Sequence, residues 1–246
     1  MDVLVVTGAG RGIGAATALL AARQGYAVCV NYLQQKAPAQ AVVEAITAQG
    51  GTAVAVQADV SQEDQVHQLF EAAARLGTLR GLVNNAGILE RQARVQDMDA
   101  ARIARVLQTN VVGSFLCAGE AVRRMSSRLG GQGGAIVNVS SRAARLGAAN
   151  EYVDYAASKA AVDALTVGLA KEVAAEGIRV NAVAPGLIET DIHASGGEPG
   201  RVQRLQGQVP MQRGGQAEEV AQAILWLLSD QASYTTGAIL DVSGGR

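Results

Sequence analysis

The sequence predicts an α/β fold: one doubly wound domain over residues 1–246, with a parallel sheet of seven strands and helices on both faces. Three observations carry this. Short β-branched runs such as "DVLVVTG" (2–8) end in glycine and read as buried strands. These runs alternate with longer stretches of helical spacing along the whole chain, the pattern of a parallel sheet covered on both sides. A glycine-rich turn, "TGAGRGIG" (7–14), joins the first strand to the first helix.

The elements follow in order. After the strand at 2–8, "GIGAATALLAARQG" has helical spacing and stops at Gly25. "YAVCVNY" (26–32) is the second strand, and "APAQAVVEAITAQGG" the second helix, with Pro38 near its start. "TAVAVQADV" (52–60) is the third strand. Ser61 then reads as an N-cap, with Asp64 in the capping-box position of the helix "QEDQVHQLFEAAARLG". "LRGLVNNAG" (79–87) is the fourth strand, followed by one long helical stretch over about 98–129. "GAIVNVSS" (134–141) is the fifth strand. A helix over 154–177 and the strand "IRVNAVAPG" (178–186) come next. Residues 187–215 are rich in Gly, Pro and polar residues without clear periodicity. "AEEVAQAILWLLSD" (217–230) is a helix and "AILDVSG" (238–244) the last strand. Right-handed crossovers leave few topologies for such a series. No shift in composition marks a second domain.

Composition narrows the function. Nearly half the residues are hydrophobic, which excludes a disordered chain. Net charge is −1 and the basic residues are scattered, so no face points to nucleic acid or a membrane surface. The apolar runs are too short to span a bilayer, and "MDVLVVTGAG" lacks the charged start and cleavage site of a signal peptide. A cytoplasmic location is expected. Cys29 and Cys117 sit in apolar runs and read as small buried hydrophobes. His67 and His193 stand alone, so no metal is expected.

The turn at 7–14 suits a dinucleotide. Glycines let the backbone approach a phosphate, and the following helix offers free N–H groups and a positive dipole end. Two spacings fit: Gly8, Gly12 and Gly14, or Gly10, Gly12 and Ala15. No G-K-[ST] follows, which argues against a P-loop. An NAD site usually has an acid at the end of the second strand. Here Asn31 and Tyr32 stand in that region, Arg11 lies within the turn and Lys36 follows closely. Missing negative charge and available positive charge favour NADP(H) over NAD(H).

A second signal lies in "DYAASKAAVDAL" (154–165). Tyr155 and Lys159 are four apart, hence on one helix face. The neighbouring alanines are too apolar for a fully solvated face. A phenol beside an ammonium is a poor core but a useful proton holder.

Together, "TGAGRGIG", "NNAG" (84–87) and Y-A-A-S-K (155–159) resemble the short-chain dehydrogenase/reductase family, with "ADV" (58–60), "NVSS" (138–141) and "APG" (184–186) in matching order. The resemblance covers the whole chain. It extends to NADP-preferring members such as 3-oxoacyl-carrier-protein reductases and glucose 1-dehydrogenases. It implies a Rossmann-type sheet of strand order 3-2-1-4-5-6-7, a nicotinamide cofactor, a small-molecule carbonyl or alcohol substrate and a homotetramer. It further implies Tyr155 as general acid/base and Lys159 as the group that lowers its pKa and holds the nicotinamide ribose. Ser141 would hydrogen-bond the substrate oxygen, and Asn110 would hold a proton-relay water. Asp59 would contact the adenine and Asn84 the adjoining cofactor backbone, with Thr190 at the carboxamide or phosphates. Gly8, Arg11, Gly12, Ile13, Gly14, Asn31, Tyr32, Val60, Ala86, Gly87, Pro185, Gly186 and Ile188 complete the implied cofactor contacts. Thirteen residues separate Ser141 from Tyr155, one more than the family usually has, which leaves Ser140 as an alternative to Ser141.

The chemistry explains the residue types. Reducing a ketone makes an alkoxide that needs a proton. Tyrosine's reference pKa is about 10, so work near pH 7 asks for a shift of roughly 2–3 units. An ammonium one turn away would favour the phenolate. Residues 187–215 are expected to form a substrate lid with Gly196, Gly197 and Gly200 as hinges, and Arg201 and Arg204 could attract an anion. Tyr152 reads as a pocket wall or loop anchor. The substrate stays open among ketones, thioesters, sugars and polyols. A non-catalytic dinucleotide sensor is the alternative from another class.

Overall fold

The computed structural model describes residues 1–246. Its elements are β1 (Asp2–Val6), α1 (Gly12–Arg23), β2 (Ala27–Tyr32), α2 (Lys36–Ala48), β3 (Ala53–Gln57), α3 (Glu63–Ala74), β4 (Thr78–Asn84), α4 (Ala100–Leu107), α5 (Gly113–Met125), β5 (Gly134–Val139), α6 (Ala143–Leu146), α7 (Val153–Val173), β6 (Ile178–Pro185), α8 (Ile192–Ser195), α9 (Arg201–Leu205), α10 (Ala217–Leu228) and β7 (Ile239–Val242). The seven strands form one sheet in the order β3-β2-β1-β4-β5-β6-β7, with every pairing parallel. This is the expected Rossmann-type order.

Strand alternation builds two cores. Leu4, Val6, Val28 and Val30 point to one face and pack with residues of α1, α2 and α10. Val3, Val5, Ala27 and Cys29 point to the other, against α3, α5 and the end of α7. Both faces are therefore dry, which is why the strands read as continuous apolar runs. Cys29 and Cys117 are fully buried, and burial pushes both thiols up to about 12, so they act as hydrophobes.

One local expectation needs correction and two gain detail. Ser61 does not cap α3. The N-cap position falls to Gln62, while the Ser61 N–H and hydroxyl both donate to Asp59 Oδ1. The acid two residues upstream outcompetes the helix end for that hydroxyl. The helical stretch expected over 98–129 runs without a break from Ala100 to Met125 but is not uniform. A π-turn at Gln108–Val112 separates α4 from α5, and Asn110 lies buried within it. The segment 187–215, where no periodic element was read, holds the short helices α8 and α9 and buries Val202, Leu205 and Val209 with Leu187. No helix is long and apolar enough to cross a membrane.

Candidate active site

The glycine turn sits at the carboxyl end of β1, where open parallel sheets leave a crevice. Gly8 and Gly12 adopt φ of 61° and 54°, the left-handed region that side chains avoid. Gly14 is constrained by space instead. A Cβ there would lie 2.5 Å from Asn85 Nδ2 and 2.7 Å from Gly8 O. The Gly8, Gly12 and Gly14 spacing is thus the constrained one, whereas a Cβ on Gly10 would make ordinary contacts. Thr7 and Asn85 lock the turn. Thr7 Oγ1 accepts from the Asn85 and Ala86 N–H groups, and Asn85 Nδ2 donates to the carbonyls of Thr7 and Gly8. Gly14→Ala is expected to cost about 1–3 kcal/mol of stability, as overpacking does, and to weaken dinucleotide binding. Urea unfolding and fluorescence titration of the variant check both effects.

From this turn a cleft of about 840 Å³ runs across the strand ends. Most of the expected site residues line it: Gly8, Arg11, Gly12, Ile13, Asn31, Tyr32, Asp59, Val60, Ala86, Gly87, Ser141, Tyr155, Lys159, Pro185, Gly186, Ile188 and Thr190. Three do not. Gly14 lies beneath the turn. Asn84 is turned into the core, where its Nδ2 donates to Asn138 Oδ1 and Ser114 O, and Asn138 passes the chain on to Thr166 Oγ1. Its neighbour Asn85 takes the place on the cleft wall, because adjacent residues at a strand end face opposite ways. Asn110 is also fully buried. Its side chain accepts from Ile88 N–H at 2.8 Å and donates to Ile88 O and Ser158 Oγ, so it fixes the backbone beside the cleft.

Two other residues expected at the cofactor are partly committed to the fold. Asn31 Oδ1 accepts from Gly8 N–H and its Nδ2 donates to Ala58 O, bracing the glycine turn. One Asp59 oxygen is held by Ser61. Arg11 is exposed and extended at the N-cap of α1, against the cleft. Lys36 begins α2 and is exposed away from the lining.

Helix α7 delivers the Tyr–Lys pair. Asp154 fixes its start. One carboxylate oxygen accepts from Tyr155 N–H, and the buried carboxylate pairs with Arg102 at 2.8 Å. Lys159 is buried, with Nζ donating to Val139 O at 2.7 Å and lying 5.6 Å from the Tyr155 ring centre. The two serines differ. Ser140 is buried and donates to Lys159 O, whereas Ser141 is only half-buried, lies near the Tyr155 hydroxyl on the cleft wall, and accepts from Ala143 N–H at 3.1 Å. The longer connection to α7 is absorbed by a loop in which Gly147, Ala148 and Asn150 all take positive φ.

The electrostatics depart from expectation. Burial pushes the Tyr155 hydroxyl up to about 12, and only the nearby Ser141 hydroxyl opposes it. A phenol already acidified by its lysine is therefore not what the chain alone provides. Burial pulls Lys159 down to about 8, with Asp163 one turn further along opposing the fall. At pH 7 the ammonium form still predominates.

The far end of the cleft has apolar walls that the sequence did not single out, among them Leu89, Leu146, Leu187 and Leu205. Tyr152 is both wall and anchor. It lines the cleft, its hydroxyl reaches Gly196 O, and Arg201 stacks 5.2 Å from its ring centre. Arg201 and Arg204 do not offer free charge, because Glu151 and Glu198 pair with both.

The residues fit a nicotinamide dinucleotide. Glycines keep the turn open at one end. At the other, Gly87, Tyr155 and Lys159 share the cleft wall. A parallel sheet with such a turn and such a proton-bearing pair defines an oxidoreductase of the dinucleotide-binding class. Comparison with known proteins agrees. A family model described as enoyl-(acyl carrier protein) reductase matches residues 8–246. An uncharacterized oxidoreductase, YgfF, of Escherichia coli (strain K12) is 61% identical, covering 100% of both chains. Cis-4-hydroxycyclohexanecarboxylate dehydrogenase of Sinomonas cyclohexanicum is 45% identical over 99% of this chain and 95% of its own length. The crystal structure of levodione reductase superposes with a TM-score of 0.91 at 33% identity, covering 99% of this chain and 96% of that one. The chain belongs to the short-chain dehydrogenase/reductase family.

Proposed function

We propose that the chain is an NADP(H)-dependent oxidoreductase that interconverts a ketone and a secondary alcohol, with Tyr155 as the general acid/base. The observation that carries this is the convergence of Ser141, Tyr155 and Lys159 on one wall of the cleft opened by the glycine turn. The alcohol in one relative's name and the dione in one neighbour's name support the same substrate class.

When bound, the nicotinamide supplies or accepts the hydride. The chain's residues do the rest. In reduction the Tyr155 O–H donates its proton to the substrate oxygen, and in oxidation the phenolate takes it back. Ser141 offers an O–H to the same oxygen and stabilises charge developing there. Lys159, tethered by Val139 O, places a cation beside the phenol and the cofactor's ribose. Asn110 keeps the 88 backbone and Ser158 in register, which is a positioning role beside the water-holding one.

The cofactor preference rests on the wall at 31–35. Asn31, Tyr32, Leu33, Gln34 and Gln35 line the adenosine end without an acid, and Arg11 faces the same space. A guanidinium on the extra phosphate contributes about 1.5–3 kcal/mol, or roughly tenfold to a hundredfold in Kd. Fluorescence titration should therefore show NADPH binding tighter than NADH, with Arg11→Ala erasing the difference. Tighter NADH binding would overturn this assignment.

A carrier-bound 3-oxoacyl substrate would need a basic face beside the lid. The lid arginines are neutralised by Glu151 and Glu198, so a compact free ketone is the better reading. A panel of ketones with NADPH tests it, since turnover of none of them would remove the enzyme reading. The homotetramer is part of the proposal. Ile103, Leu107, Val112 and Phe115 are exposed along α4 and α5, and Ala157, Ala160 and Ala164 are exposed on α7. Light scattering at micromolar concentration should show an oligomer, and a monomer would count against those faces as interfaces.

A further inference from the structure

We infer that the substrate carries a carboxylate and that Arg246 binds it at the far end of the cleft. The inference rests on the hydride-transfer reading above and adds the substrate's chemistry to it.

Three guanidinium groups line this end: Arg142, Arg201 and Arg246. Two already have carboxylate partners, although Arg142 shares its acid with Arg145. Arg142 pairs with Asp241 at 2.7 Å, and Arg201 pairs with Glu151 and Glu198. Arg246 is different. It is half-buried, yet its guanidinium takes part in none of the chain's ion pairs or side-chain hydrogen bonds, and its contacts run through the backbone alone. Those contacts hold it in place. The Arg246 backbone oxygen accepts from Arg142 Nε at 2.7 Å and from Ser243 Oγ at 3.0 Å. The preceding glycine pair packs against Pro210 and Met211, with Met211 N–H donating to Gly244 O.

The cation therefore has a fixed backbone and no partner, while the acids that line the space beside it, Asp241 and Glu219, are already paired with Arg142, Arg145 and Arg213. A smaller pocket of about 440 Å³, also lined by Arg142 and Arg246, opens beside the main cleft across Leu187 and Ile188. It gives the anionic end of a substrate somewhere to sit while the carbonyl meets Tyr155. A guanidinium fork matches a carboxylate with two parallel hydrogen bonds.

The test compares 4-oxocyclohexanecarboxylate with its methyl ester, using NADPH and the full chain. The wild type should favour the acid by about tenfold or more in kcat/KM, mainly through KM, in line with one charge-assisted contact. Arg246→Gln should bring the acid-to-ester ratio near unity, and Arg246→Lys should recover part of it. Cyclohexanecarboxylate, which has no carbonyl to reduce, should compete with the ketone in the wild type and lose that effect in Arg246→Gln. Equal use of acid and ester by the wild type, or an equal loss of both substrates in Arg246→Gln, overturns the inference. Turnover of the ester without preference for the acid sinks this inference alone. Turnover of no ketone at all sinks the hydride-transfer reading and this inference with it.

Discussion

Tyr155→Phe is expected to lower kcat/KM for ketone reduction by about 100-fold to 10,000-fold, the range a positioned general acid supplies. The substitution removes one oxygen and keeps the ring that α7 packs beside Lys159. NADPH affinity, read by fluorescence, should stay close to the wild-type value, so the loss falls on the chemical step. Comparable turnover by the two forms would show that the proton comes from elsewhere. Turnover by neither form, with the dinucleotide still bound, would favour a chain that binds the dinucleotide without catalysis.

Lys159→Met should cost both functions of the ammonium at once. Loss of a charge-assisted contact of about 1.5–3 kcal/mol corresponds to roughly a tenfold to hundredfold loss in each property it serves. Dinucleotide binding should weaken and turnover should fall. The variant should also change the pH dependence of stability. Burial holds Lys159 near 8 in the folded chain, against 10.5 as its ordinary value. Below pH 8 both states keep the proton, and this group adds no pH dependence. Between 8 and 10.5 the unfolded chain binds more protons than the folded one, so stability gains a contribution that rises with pH. Urea midpoints over this window should show that contribution in the wild type and lack it in Lys159→Met. Identical slopes for the two proteins would mean that Lys159 is solvated.

How much of this was legible in the sequence follows from which physical signals a sequence carries. The strands were legible because Val3 to Val6 and Val28 to Val30 are buried on both faces, and such strands are apolar without a break. The seven-strand order needed the family resemblance, since spacing alone does not say which strands neighbour. The π-turn at Gln108–Val112 was hidden because the helical residue types continue through it. Helices α8 and α9 were hidden because four or five residues are too few for periodicity to register. Of the adjacent Asn84, expected at the cofactor, and Asn85, it is Asn85 that lines the cleft. Their roles depend on the strand's register, which identical residue types do not reveal.

Other parts of the site lay outside sequence patterns altogether. Arg246 follows a glycine pair with no motif, and its relevance appears only when the chain folds it back onto Arg142. The same holds for the neutralised Arg201 and Arg204, whose partners are either local, as Glu198 is, or fifty residues away, as Glu151 is from Arg201. The acidity of Tyr155 was misjudged for a related reason. Spacing shows the lysine four residues on, but the cost of burying a phenolate depends on everything packed around it.

The central claim is that the Tyr155 hydroxyl is the proton-bearing group of a dinucleotide site. A titration of the labelled Tyr155 ring carbon by NMR, with Tyr155→Phe to assign the signal, tests it most directly. Without cofactor the phenol should titrate near 12, and with NADP⁺ it should fall by a unit or more, because a nearby positive charge favours the phenolate. A phenol that titrates near the ordinary 10 and ignores NADP⁺ would contradict the account.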